Sequence, residues 1–148
     1  MADGFLMMDL LRSFYWFDEA LQSGLKSHGW PDVSRGQSLV LVNIMLGVRR
    51  ASQLARNLGI SRQAMSKTLV EMAEQGLIVL KPDPMDRRAQ IVAFSPESET
   101  LRDDAQAILR ELEGHIGRRF GKQRIARMRE ILREDWGAIP DLSSVNRD

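Results

Sequence analysis

The apolar positions of this chain follow two different periods. From Phe5 to Leu25 they recur at helical spacing, through Met7, Leu10, Leu11, Phe14, Phe17, Leu21 and Leu25. Phe5, Leu6, Met8, Tyr15 and Trp16 widen the stripe to most of the helix circumference. A helix apolar nearly all round must be covered, and in a chain of 148 residues partner chains are the natural cover. His28 to Asp32 ("HGWPD") breaks it. Ser34 can cap a second helix, running through Leu39, Val42, Ile44 and Met45 to about Leu46. Ser52 can cap a short helix ending at Gly59, and Ser61 a further helix ending at Gly76, a residue able to take the left-handed conformation past a helix end. Two helices joined by a tight glycine-containing turn predict a helix-turn-helix.

The period then changes. Leu77 to Leu80 and Ile91 to Phe94 are short apolar runs that read as the strands of a hairpin. Between them lies "KPDPMDRRAQ", with Pro82, Pro84, Asp83, Asp86, Arg87 and Arg88. This connection is too long for a two-residue turn, so a projecting tip is expected. After "SPES" (Ser95 to Ser98), a long helix is predicted from about Glu97 to Arg119, with Leu101, Ala105, Ile108, Leu109 and Leu112 on one face. Gly121 breaks it, and a last helix carries Ile125, Met128, Ile131, Leu132 and Trp136. The fold class is therefore mainly α with one β-hairpin, in the order α-α-α-α-β-β-α-α.

Composition narrows the function classes. Hydrophobic content of 43% and charged content of 28% are those of a soluble globular domain. The apolar runs are too short to span a bilayer. "MADGFLMMDLLRS" carries acids and no leading basic cluster, unlike a secretory signal, and the cytoplasm is the simplest compartment. There are no cysteines, which removes disulfides, thiolate metal sites and thiol nucleophiles. Net charge is only +1, but its distribution is uneven. Residues 35–95 hold nine basic and four acidic groups, whereas residues 1–34 hold two basic and five acidic ones. A basic middle module between acidic or near-neutral flanks suggests a polyanion partner.

On the second helix of the pair, Met65, Leu69, Met72 and Ala73 form an inward stripe. Arg62, Gln63, Ser66, Lys67 and Val70 are left outside. Arginine can read guanine, glutamine can read adenine, and serine and lysine can hold phosphate or base edges. A polar helix face is usually only solvated, so this signal needs a companion. The hairpin supplies it, because a helix-turn-helix followed at once by a hairpin with a basic tip is a winged helix. Its recognition helix can enter the major groove while Arg87 enters an adjacent minor groove, where negative potential is concentrated. Arg88, nearer the returning strand, is expected to meet phosphate or to pair with an aspartate. Asp83 and Asp86 are expected to hold the loop shape and orient the guanidinium by bidentate pairing.

"LARNLGISRQAMSKTLVEMAEQGLIVLKPDPMDRRAQIVAFSPES" resembles the core of the MarR family of winged helix-turn-helix transcriptional regulators. It shows a leucine-alanine helix, a glycine turn, a recognition helix, "GLI", an Asp-x-x-Asp-Arg-Arg wing and a serine-proline start to the next helix. The chain departs from the family pattern at Leu80-Lys81, where an arginine is frequent, and at Phe94-Ser95-Pro96, where leucine-threonine-proline is usual. The resemblance implies one domain, with a DNA-binding lobe over about 35–96 and dimerisation helices over about 4–28 and 97–140. It implies a homodimer on palindromic double-stranded DNA, acting as a repressor that responds to a small aromatic or lipophilic effector. Trp16, Trp30 and Met45 are candidate walls of the effector cleft, although apolar side chains here are more often simple core.

Two rival functions stand against this reading. For an enzyme, the sequence offers no glycine-rich phosphate loop and no HExxH signature. The histidines are His28 and His115; His115 has Glu111 at i−4, half a metal site at most, and an exposed helical pair is the simpler reading. No cofactor is implied. The second rival is a MarR-fold adaptor or sensor without operator binding, which an acidic recognition face or a wing without arginine would favour; neither is present. A second basic cluster, Arg118 to Arg129, reads as a solvated face.

Overall fold

The computed structural model describes residues 4–145. They form two compact units that divide within one long helix, at Leu112/Glu113. The element order is α1 (Leu6–Ser27), α2 (Arg35–Met45), α3 (Ala51–Leu58), α4 (Arg62–Glu74), β1 (Ile78–Asp83), β2 (Asp86–Phe94), α5 (Glu99–Phe120) and α6 (Lys122–Arg133). This is the order expected from the sequence. Among the described residues, no helix is long and apolar enough to cross a membrane.

The first unit is built on one core. Val40 and Ile44 of α2, Leu54 of α3, Met65, Leu69 and Met72 of α4 and Val92 of β2 are buried in it. Leu21 and Leu25 bring in the C-terminal half of α1, and Leu101 and Ala105 the start of α5. The start of α1 is bare: its N-cap Phe5 and Leu6, Met7 and Met8 are all more than half exposed. The helix whose sequence is apolar nearly all round thus uses only its last turns for the core of its own chain.

Local chemistry fixes most boundaries. Ser34 accepts from the Gln37 backbone N–H at 3.1 Å, while Gln37 Oε1 accepts from the Ser34 N–H at 3.2 Å; together they form a capping box on α2. Ser61 accepts from the Ala64 N–H at 3.1 Å and starts α4. Gly59, at φ +67°, ends α3, and Gly76, at φ +74°, ends the turn after α4. Both are positions where a side chain would be strained. The α3 start differs from expectation. Arg50, not Ser52, occupies the N-cap and offers no side-chain bond to the helix, and Ser52 lies within the first turn. The start of α5 falls two residues later than expected. Ser95 Oγ accepts from the Ser98 N–H at 3.0 Å and donates to the Gly76 carbonyl at 3.0 Å, so the chain is held by both serines before it turns helical.

Two strands form the sheet, antiparallel, with Ile78 opposite Phe94 and Leu80 opposite Val92. The free side of β2 takes one further bridge, Arg50 to Ile91, where the Val92 N–H donates to the Arg49 carbonyl at 2.7 Å. β1 is left as an edge, which suits Pro82, a residue with no N–H to donate.

In the second unit, α6 buries none of its residues. Met128, Ile131 and Leu132 are about half exposed, and Arg129 pairs with Glu113 at 2.6 Å. Trp136, expected on the last helix, lies beyond its end, and its indole N–H donates to the Ile131 carbonyl at 3.1 Å.

Removing the α2 cap with Ser34→Ala should cost about 1 kcal/mol of stability in a denaturant titration. Ser52→Ala, which removes no cap, should stay within about 0.5 kcal/mol of wild type.

Candidate nucleic-acid interface

The orientation of α4 follows from its period. Met65, Leu69 and Met72 are at most 1% exposed, which turns Arg62, Gln63, Ser66, Lys67 and Val70 to the opposite, exposed face. Lys67 Nζ lies 4.0 Å from a Glu71 carboxylate oxygen, a surface pair of little energetic weight. Among the described residues the side chains of Arg62, Gln63 and Ser66 make no hydrogen bond or ion pair, so their donors remain available.

The hairpin differs from the sequence expectation in one respect. It closes on two residues, Pro84 and Met85, with Asp83 opposite Asp86. The strands run through the charged segment that the sequence presents as a long loop. The surplus length is taken up by an irregularity between Pro82 and Asp83: Pro82 faces Gln90 while Asp83 faces Asp86. Arg87, Arg88 and Ala89 are therefore left on β2 without ladder partners on β1, a bulge that bends the strand. Met85 crowns the tip at 84% exposure. Arg87 and Arg88 are both exposed.

The two aspartates hold backbone rather than the wing arginines. Asp83 Oδ1 accepts from the Met85 N–H at 2.9 Å, and Asp86 Oδ1 accepts from the Arg88 N–H at 3.0 Å. Such bonds two residues on are the usual turn chemistry of aspartate. The bidentate pairing expected with Arg87 or Arg88 is absent. Asp83 is instead 3% exposed, and its Oδ2 lies 3.0 Å from Arg50 Nε, an ion pair without hydrogen-bond alignment. Sequence reasoning missed Arg50. The available signals were an arginine doublet directly before a helix and a helix start lacking a capping side chain.

Between α4 and the wing runs an open groove of about 680 Å³. Arg62 and Ser66 line one wall, with Ala51 and Ser52 of α3; Lys81, Arg87 and Arg88 line the other. Asp86 is the single acid among its lining residues, so the groove is cationic. Gln63 and Lys67 stand on the exposed face of α4 outside its walls. A groove of this sign, with guanidinium groups on both sides, can accept phosphates and present donors to base edges.

The residues named for an effector cleft, Met45, Trp30 and Trp16, each have local contacts of their own. Met45 lines an internal space of about 20 Å³ beside Leu21, Leu25 and Phe94, room for about one water. The Trp30 indole N–H donates to Asp104 at 2.7 Å, and Trp16 packs edge-on against Phe17 at 5.2 Å between ring centroids. Among the described residues, no group of three or more histidines or carboxylates is placed to hold a metal ion.

A model of the MarR family matches residues 32–89, from just before α2 to the wing arginines. The chain has a MarR-like winged helix fold. Its fold is shared by solved MarR-family structures. The transcriptional regulator PA4135 superposes with a TM-score of 0.69 at 22% identity, over 87% of this chain and 93% of that one. The wild-type apo form of MarR from E. coli gives 0.66 at 18% identity, over 87% and 95%. The transcriptional repressor CouR, solved on a 23-mer DNA duplex, gives 0.65 at 20% identity, over 86% and 89%. In the MarR-like wing, the buried aspartate is the one whose loss should be felt. Asp83→Asn should lower stability by about 1–3 kcal/mol, while Asp86→Ala, at the surface, should change it by less than about 0.5 kcal/mol. Paired thermal melts check the contrast.

Proposed function

We propose that this chain is a sequence-specific, double-stranded DNA-binding transcriptional regulator of MarR type, acting as a homodimer on a palindromic operator. The observation that carries the reading is the cationic groove that joins Arg62 and Ser66 of α4 to Arg87 and Arg88 of the wing. In this reading α4 lies in the major groove. Gln63 reads an adenine edge, Arg62 and Ser66 meet base edges or backbone, and Lys67 holds phosphate. The bulge carries Arg87 into the flanking minor groove, with Arg88 at the phosphates. The DNA-bound state of the similarly folded CouR supports DNA as the partner, and its description as a repressor supports repression. A regulator of this type acts in the cytoplasm, the compartment this reading assigns.

The dimer is supported by the uncovered apolar side chains toward both ends of the chain, Phe5 to Met8 at the start of α1 and Met128, Ile131 and Leu132 on α6. A two-fold assembly would bury them and set two recognition helices against two half-sites. An effector of small aromatic or lipophilic character would need a cleft opened by that assembly, since the space beside Met45 admits about one water.

Titration of a duplex selected by the wild-type chain from a randomised pool tests the roles. Gln63→Ala should cost about 1–3 kcal/mol per half-site and relax preference at one base pair. Lys67→Ala should weaken all sequences alike and lower the salt slope by about 0.9 for each phosphate no longer neutralised. Unchanged affinity in both variants would remove α4 as the reading element. Light scattering should give twice the chain mass at micromolar concentration; a monomer would remove the palindrome.

A further inference from the structure

Arg50 stands at a position where its side chain does nothing for the helix it begins. Serine, threonine, aspartate or asparagine would cap α3; arginine offers no such bond, and none is made. Its interactions go to the wing instead. Its backbone bridges to Ile91 of β2, and its Nε lies 3.0 Å from the buried Asp83 carboxylate. That same carboxylate closes the tip by accepting the Met85 N–H. The ladder loses its register at Pro82/Asp83, so regular strand pairing does not hold Arg87 and Arg88. Asp83 is thus the point at which the tip is fixed, and Arg50 is the cation that lets a carboxylate be buried there.

We propose that Arg50 is a positioning residue that sets the reach of the wing relative to the recognition helix. Acting through Asp83, it makes the distance between the major-groove site and the flanking minor-groove site a built-in selectivity of this protein. One side chain couples the start of α3, the first helix of the helix-turn-helix, to the wing tip. The span of the groove between Arg62 and Arg87 is therefore fixed in the free protein. Operators are discriminated by what lies at that distance, in addition to the bases α4 reads. This inference rests on the DNA-binding reading above.

The test uses the full chain and two duplexes. Both carry the site selected by the wild-type protein; one has A·T-rich flanks and the other G·C-rich flanks. Wild type should prefer the A·T-rich flanks. In Arg50→Gln the ratio of the two affinities should fall to about one, because an unfixed wing no longer rewards a narrow groove. Asp83→Asn should give the same fall, and the double variant no more than either alone, since coupled residues are non-additive. If Arg50 instead holds phosphate directly, Arg50→Gln should weaken both duplexes equally, lower the salt slope by about 0.9, and act undiminished in Asp83→Asn. That result would overturn the proposal. Amide hydrogen exchange of the free protein supplies a readout without DNA: Arg50→Gln should speed exchange at Met85 and Arg88 while leaving α4 protected. Unchanged exchange at the tip overturns the clamp even if no duplex is bound, whereas tip loosening in a chain that binds no DNA overturns only the function assigned to it. Should Arg50→Gln fail to fold, Arg50→Met, which keeps the apolar stem and removes the charge, replaces it in every arm.

Discussion

The burial of one helix stripe decides the rest of this structure. Met65, Leu69 and Met72 are held in the core at near-zero exposure, and at 3.6 residues per turn no freedom remains for the opposite face. Arg62, Gln63, Ser66 and Lys67 are outside because those three are inside. The Ser61 cap and the glycine turns at either end set where the helix begins and where the chain leaves it. The chemistry offered to solvent is thus a consequence of packing, and a change that repacked α4 would also turn its polar face.

The wing obeys a different rule. A two-stranded hairpin has little core of its own, and here its outer half is irregular. Buried polar chemistry substitutes for buried apolar area: a carboxylate that accepts a turn N–H and faces an arginine from another element. An unpaired buried carboxylate would be costly, so the aspartate specifies where the arginine must be. That dependence gives the tip a defined place despite its short regular ladder.

Much of this is legible in the sequence, because the deciding signals are local. The eight elements, their order, the two-sided α4, the serine caps of α2 and α4 and the glycine turns at Gly59 and Gly76 all follow from spacing and residue type within one or two turns. What is not legible is long-range. Simple alternation from the buried Ile78 would place Asp83 on the other, exposed face of β1; the irregularity at Pro82 breaks the alternation and turns it inward. No local pattern announces that break. Its partner, Arg50, lies in a segment that period alone marks only as the lead into a helix. The same holds for the tip length: two prolines read as a loop, yet β1 runs through Pro82 to Asp83, only Pro84 falls in the turn, and a bulge on β2 takes up the rest. Ser52 misleads because a serine near a helix start is usually its cap, and Trp136 because an apolar period can outlast the helix that carries it.

The claim on which the functional reading turns is that α4 and the wing contact one duplex together. Chemical footprinting of the selected duplex measures both at once, with methylation protection reporting major-groove purines and hydroxyl-radical cleavage reporting the minor-groove side. Protected major-groove bases within each half-site, with protected minor-groove backbone on the outer flanks, are expected, and Arg87→Ala should lose the flank protection alone. Major-groove protection with fully cleaved flanks in the wild-type protein would contradict it.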